Sequence, residues 1–353
     1  MYNILVVNPG STSTKIAVFK DNRPIFDETI TYSKATLEKY DNILEQRNMR
    51  EEDIKNALKG AIALKDLDAV VGRGGLLRPL ESGTYRVTEK MVNDIINGRV
   101  QADHASNIGA VLAYDIAKEV NIPAFIADPV SVDEFDDIAR ISGIPDIERK
   151  SLLHALNVRA VALQAANDMG KNLNELNLIV AHLGGGITIC PIRHGRIVDV
   201  NNAIEEGPFA PERAGGLPSF SLVKLCYSGK YTEKEMKRKL VGGGGLVAYL
   251  ETNSVEEVEK RIDQGDRKAK LVFEAMAYQI AKEIGAMATV LKGAVDKIII
   301  TGGCAHSVRL INLIKERVSF IAPVFVYPGA FEMQALANAA LRVLRGEEKE
   351  KTY

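Results

Sequence analysis

Three glycine-rich turns, each following a short apolar run, carry the residues of this sequence best suited to hold an anion. The first follows Ile4 to Val7 and Asn8 and reads PGSTSTK. Gly10 lets backbone N–H groups approach an oxyanion, the hydroxyls of Ser11 and Ser13 donate to it, and Lys15 supplies charge. The GxxxxGK[ST] pattern of a P-loop is absent and the next residues alternate as a strand does, so a plain Ser/Thr hairpin turn explains this segment, taken alone, equally well. The second turn follows His182 and contains Gly184, Gly185 and Gly186; the third is Gly302-Gly303. One glycine turn says little. Three at strand ends of an α/β chain fit a nucleotide site, because ligands of open α/β sheets gather at the carboxyl ends of the strands.

Arg73 in VVGRGG and Arg213 in GPFAPERAGG have glycine neighbours that leave the guanidinium fork free to reach a phosphoryl or carboxylate group. The competing reading for each is a surface arginine. Asp128, ending an apolar run before Pro129, and Glu332, opening the last helical stretch, are candidate magnesium ligands, since that ion takes one or two carboxylates and otherwise phosphate oxygens and water. Glu332 is equally a first-turn helix acid. His104 in QADHAS is a candidate donor or a helix-start polar residue, His154 falls in a helical pattern and reads as core packing or a hydrogen bond, and His194 reads as an exposed turn.

The elements that must place these residues recur. Ile4–Val7, Lys15–Phe19 and Ile25–Ile30 read as three strands joined by two turns, and the order returns as Leu178–Ala181, Ile187–Ile192 and Ile197–Val200. Asn8 and His182 thus end corresponding strands. This echo at half the chain length predicts two related α/β domains. Helices are expected at Thr88–Asn97, Asn107–Glu119, Lys150–Asp168, Asp266–Leu291, Arg309–Arg317 and Phe331–Arg345, with strands at Ala69–Val71, Ala124–Ala127, Lys297–Thr301 and Val324–Tyr327. Val272, Met276, Ile280 and Ile284 keep the spacing of one buried helix face. The terminal EEKEKTY reads as a fraying, charged tail.

Composition narrows the partners. Forty-five Lys and Arg against 46 Asp and Glu give a net charge of −1 over 353 residues, so no basic field exists for nucleic acid or an anionic membrane. Any anionic ligand must be small and locally held. The three cysteines form no metal pattern with the five histidines and read as reduced thiols. No apolar run reaches membrane-spanning length and no signal-peptide pattern is present, so a cytoplasmic location is expected.

In NPGSTSTK, VAHLGGG, ITGGCAHS and GAFEMQAL the chain resembles the acetate/butyrate kinase family, the acetokinase branch of the superfamily of sugar kinases, Hsp70-type ATPases and actin. The resemblance covers nearly the whole chain. It implies an α/β fold of two similar actin/Hsp70-like (ribonuclease H-like) domains whose mixed sheets face an interdomain cleft. Residues 1–150, completed by 331–353, would form the first, and 151–330 a nucleotide-binding and dimerising second. It also implies ATP/ADP and Mg2+ as cofactors, a small carboxylate as substrate, and a homodimer or higher homo-oligomer. By position, Arg73 and Arg213 would contact the carboxylate and the transferring phosphoryl group, Asp128 and Glu332 would serve magnesium, and His104 would lie near the acid. His182 with Gly184, Gly185 and Gly186 would lie by the nucleotide phosphates, Asn8, Ser11, Ser13 and Lys15 on the first phosphate loop, and Gly302 and Gly303 by the adenosine.

Departures point to the butyrate side of the family. Acetate kinases are longer, read N-C-G-S-S-S where this chain has NPGSTS, and carry asparagine where Gly185 stands. Their segment F-H-G-T-S-H appears here as Leu153 to Val158, which places a site histidine of theirs on Val158, its role being either absent here or taken by another donor such as His104 or His182. The apolar residue that narrows their acid pocket falls on Gly75, and the missing side chain would lengthen it. The activity implied is butyrate + ATP = butyryl phosphate + ADP. The alternatives are a kinase of isobutyrate, propionate or acetate and, from another class, a non-catalytic nucleotide-dependent interaction protein.

Overall fold

The run Asn3–Pro9 forms strand β1 and is buried from Ile4 onward, as expected of a strand covered on both faces. A computed structural model describes residues 1–102 and 104–353. The chain divides into two units, the first comprising Met1–Val132, Ala155–Asn157 and Phe331–Tyr353, the second Asp133–His154 and Val158–Ala330.

In the first unit β1 pairs antiparallel with β2 (Ser13–Lys20), which pairs antiparallel with β3 (Arg23–Thr31). On its other side β1 runs parallel to β4 (Ala69–Arg73). β4 runs parallel to Ala124–Ala127, which is edged antiparallel by Thr84–Arg86. With these last two numbered β6 and β5 in chain order, the sheet reads β3-β2-β1-β4-β6-β5. Leu5, Val7, Ile16 and Val18 share one core with Ile54 and Leu58 of the helix Arg47–Leu58 and with Ile108, Val111 and Leu112 of the helix Asn107–Glu119. The helix Glu332–Leu344 packs on β1, β4 and β6 through its buried Leu336, Ala337 and Ala340.

The second unit repeats the plan. β7 (Asn177–Leu183) pairs antiparallel with β8 (Ile187–Arg193), and β8 with β9 (Arg196–Ile197). β7 runs parallel to β10 (Lys297–Gly302), and β10 to β11 (Val324–Pro328). The order β11-β10-β7-β8-β9 is that of β6-β4-β1-β2-β3. The helix Arg267–Val290 buries Val272, Met276, Ile280 and Ile284 in this unit's core, the face its spacing predicts.

Two boundaries differ from the sequence reading. The first stretch of the chain leaves the first unit after Val132 rather than at 150, because ion pairs and hydrogen bonds stitch 133–154 to the second sheet. Asp136 pairs with Arg193, the Glu134 carboxylate accepts from Ile197 N–H, and Arg149 binds Asp199, Glu206 and the Val200 carbonyl. The tail does not fray. Lys351 N–H donates to Thr84 O and Arg86 N–H to Lys351 O, and Tyr353 is buried under Arg78 and Lys90. Charge in these seven residues is met by pairs, Lys351 with Glu81, Glu350 with Arg86 and Glu348 with Arg342, which the composition of the tail does not disclose. Among the described residues no helix is long and apolar enough to cross a membrane.

Candidate active site

Strand register places three candidates of the first unit side by side. Val7 pairs with Gly72 and Arg73 with Ala127, so Asn8, Arg73 and Asp128 stand at the carboxyl ends of the adjoining strands β1, β4 and β6, with Lys15 opposite Asn8 on β2. Glu332, the first residue of the helix Glu332–Leu344, closes the group. Its Oε2 accepts from Arg73 Nη1 at 2.9 Å and from Asn8 Nδ2 at 2.9 Å. Asn8 Oδ1 lies 3.4 Å from the same Arg73 nitrogen. Asp128 is buried at a φ of 39°, a left-handed backbone unusual for a non-glycine residue, and is held by Gly83: Gly83 N–H donates to Oδ1 at 2.8 Å while Asp128 N–H donates to Gly83 O.

His104 is exposed, yet enough protein crowds its ring to disfavour the charged form, and the Arg73 charge adds to this; together they hold its pKa below the ordinary value. The backbone N–H of Ser106 donates to Nδ1 at 3.2 Å, so Nδ1 is the acceptor and the proton sits on Nε2. His104 therefore offers a neutral N–H donor. Ser11 and Lys15 are exposed and Ser13 half-buried around the Gly10–Ser13 turn, which closes through Gly10 N–H to Ser13 O at 2.7 Å.

In the second unit His182 is the penultimate residue of β7, as Asn8 is of β1. The glycine turn after it closes through Gly184 N–H to Gly186 O, and Glu212 N–H donates to Gly185 O, joining this turn to the segment bearing Arg213. The Arg213 guanidinium lies over Gly186 so closely that a Cβ there would stand 2.3 Å from Nη1; only glycine admits it. Nη1 donates to Ala203 O at 3.0 Å, and burial lowers the pKa of Arg213, Glu212 opposing, without approaching neutrality. A cavity of about 510 Å3 opens beside these groups, lined by Gly184, Gly185, Glu212, Asn253, Gly303 and Cys304 among others. Gly302 stands just behind it, pairing both ways with Gly329.

Sequence comparison decides the lineage. Over its whole length, and the whole length of each relative, the chain is 53% identical to the probable butyrate kinase 2 of Caldanaerobacter subterraneus subsp. tengcongensis and 52% identical to butyrate kinase 1 of Clostridium acetobutylicum. The acetokinase family model matches residues 147–321. The chain belongs to the acetokinase family. The fold agrees: the acetate kinase of Porphyromonas gingivalis superposes with a TM-score of 0.79 at 17% identity, covering 98% of this chain and all of that one. A propionate kinase from Francisella tularensis does so with 0.74 at 17% identity, covering 96% and 99%.

One residue beside the candidate site escaped the sequence reading, and a second was read only in part. Arg50, in the first turn of the helix Arg47–Leu58, is fully buried beneath the Gly10–Ser13 turn. It donates to the carbonyls of Gly10, Ser11 and Ser13, to Thr14 Oγ1 and to Gln46 Oε1, and stacks on Tyr32 at 4.5 Å. Nothing local marks it, since arginine in a polar helix is ordinarily solvated. His154, read as core packing or a hydrogen bond within a helix, precedes the helix Ala155–Asp168; its Nδ1 lies at hydrogen-bond distance, 2.8 Å, from Thr188 Oγ1, and its ring stacks on His182 with centroids 4.2 Å apart, a contact the reading did not include. The motif LHALNV was the available signal. Val158 is a fully buried residue of that helix.

Gly75 requires a correction. A Cβ there would stand 2.0 Å from Asn107 Oδ1, so the space a side chain would fill belongs to Asn107 and is not an extension of an acid pocket.

Proposed function

We propose that this acetokinase phosphorylates butyrate with ATP, giving butyryl phosphate and ADP, the activity named for its relatives of just over 50% identity. The observation that carries the reading is the array at the strand ends of the first unit. A guanidinium oriented by Glu332 and Asn8, and a neutral imidazole donor, suit a small carboxylate. A carboxylate is ionised at pH 7 and attacks without a general base, so the chain needs cations and donors and no nucleophile–base pair.

In this reading Arg73 and His104 Nε2–H bind the acid's oxygens. The 510 Å3 cavity of the second unit takes the nucleotide, its glycine N–H groups facing phosphate, and Arg213 meets the transferring phosphoryl group. That group carries diffuse negative charge between the two oxygens, and the fixed arginines stabilise it electrostatically. Gly186 contributes by letting Arg213 lie flat on the glycine turn.

Magnesium is part of the proposal. Among the described residues no three His, Cys, Asp or Glu side chains gather as a metal site. Asp128 and Glu332 supply the one or two hard carboxylates this ion accepts, the remaining ligands being phosphate oxygens and water, so the residues fit it. When bound, the ion would neutralise nucleotide phosphate charge. A cytoplasmic homo-oligomer completes the reading; Phe220 and Tyr227, 84% and 88% exposed in the second unit, suit a surface covered by assembly.

The test is direct. Protein with ATP, magnesium and butyrate should form an acyl phosphate that hydroxylamine traps as the hydroxamate. Absence of product across C2 to C6 acids overturns the assignment, and a kcat/KM series over butyrate, isobutyrate, propionate and acetate ranks the acids.

A further inference from the structure

The loops that carry Arg73 and His104 meet at one buried side chain. Asn107, 3% exposed at the start of the helix Asn107–Glu119, accepts from Leu76 N–H through Oδ1 at 2.7 Å and donates through Nδ2 to Ala102 O at 2.9 Å. Leu76 lies three residues past Arg73, and Ala102 two before His104. Asn107 N–H also donates to His104 O at 2.9 Å. Gln101 doubles the link, its N–H donating to Leu76 O and its side chain to Leu77 O at 2.8 Å.

Only a carboxamide satisfies both sides. An aspartate would set a carboxylate against the Ala102 carbonyl, and alanine would take the side-chain acceptor from the half-buried Leu76 N–H. Gly75 passes against the whole of Asn107, since a Cβ there would stand 2.0 Å from Oδ1 and 2.7 Å from the backbone Cα and N of Asn107.

We propose that Asn107 is a positioning residue that locks the loop after Arg73 to the His104 loop and so fixes the spacing of the two groups that receive the acid. The latch rests on the kinase reading for its consequence but not for its existence. Its role is to set one donor array, so it acts on the acid and not on the nucleotide.

The experiment compares wild type with Asn107→Ala and the isosteric Asn107→Asp. Asn107→Ala should lower kcat/KM for the acid by about tenfold or more while leaving the KM for ATP within about twofold. Asn107→Asp, which keeps the Leu76 bond, should fall between wild type and Asn107→Ala and covers the case in which alanine prevents folding. Amide hydrogen exchange supplies a readout independent of turnover: Asn107→Ala should speed exchange at Leu76 and Gln101 together. Acid kinetics within twofold of wild type, equal losses for acid and ATP, or unchanged exchange would overturn the latch. A wild type with no acid-dependent turnover would instead overturn the kinase reading, leaving exchange to decide the latch.

Discussion

Arg73 and Glu332, 259 residues apart in the chain, form an ion pair of 2.9 Å between Nη1 and Oε2, and Asn8 shares the same carboxylate oxygen. Both side chains stay about a quarter exposed, so the pair is worth little as a stabilising bridge and its consequence is orientation: the guanidinium is aimed before a ligand arrives.

Removing the cation should therefore hurt more than removing its anchor. Arg73→Ala is expected to lower turnover on the order of 10³-fold, as loss of a phosphoryl-stabilising arginine does. Glu332→Gln, which keeps an acceptor but not its charge, should cost about tenfold in kcat/KM for the acid. Steady-state kinetics with butyrate measure both. Near-wild-type rates in Arg73→Ala would remove that residue from the mechanism.

The packing of Arg213 on Gly186 makes a second pair of variants informative. Arg213→Ala should lower turnover on the order of 10³-fold. Gly186→Ala, which must displace the guanidinium, should reproduce a large part of that loss with Arg213 still present. Full activity in Gly186→Ala would show that the observed placement of Arg213 is not the working one.

For His104 the sign of the pH dependence follows from its lowered pKa, caused by desolvation and then by Arg73. The folded protein binds this proton less tightly than the unfolded chain does. The stabilising contribution is thus complete above the unfolded value of about 6.5 and is lost as pH falls through the folded value. Imidazole NMR should give a midpoint below 6.5, and Arg73→Ala should raise it by removing one cause. A midpoint at or above the ordinary value in wild type contradicts the neutral-donor assignment.

Arg50 holds the first turn from beneath, and its replacement should act mainly on stability. Arg50→Met removes the guanidinium that the carbonyls of Gly10, Ser11 and Ser13 share, leaving Ser13 O only the Gly10 N–H, and is expected to cost about 3 kcal/mol in denaturant unfolding. A loss below about 1 kcal/mol would mean that water or the backbone replaces it readily.

Much of the site was legible because its determinants are local. A strand ending in Asn8 or His182, the glycine turn after it and the alternation of the next strand are written within about a dozen residues, and strand polarity then delivers each turn to the carboxyl end of its own sheet. The repeat was readable for the same reason. His154 and Arg50 were not, since their neighbours come from other elements: His182 lies 28 positions beyond one, and the turn carbonyls about 40 before the other.

By itself, then, the sequence determined the two three-stranded openings, the buried helix face of Val272 to Ile284, and the residue types at the turns, all consequences of short-range periodicity and backbone freedom. Only the tertiary structure decided that Glu332 and Asn8 aim Arg73, that the room beside Gly75 belongs to Asn107, and that a charged tail is docked on β5. Hydrogen bonds and ion pairs between segments remote in sequence depend on where packing brings those segments, and no local pattern encodes that distance.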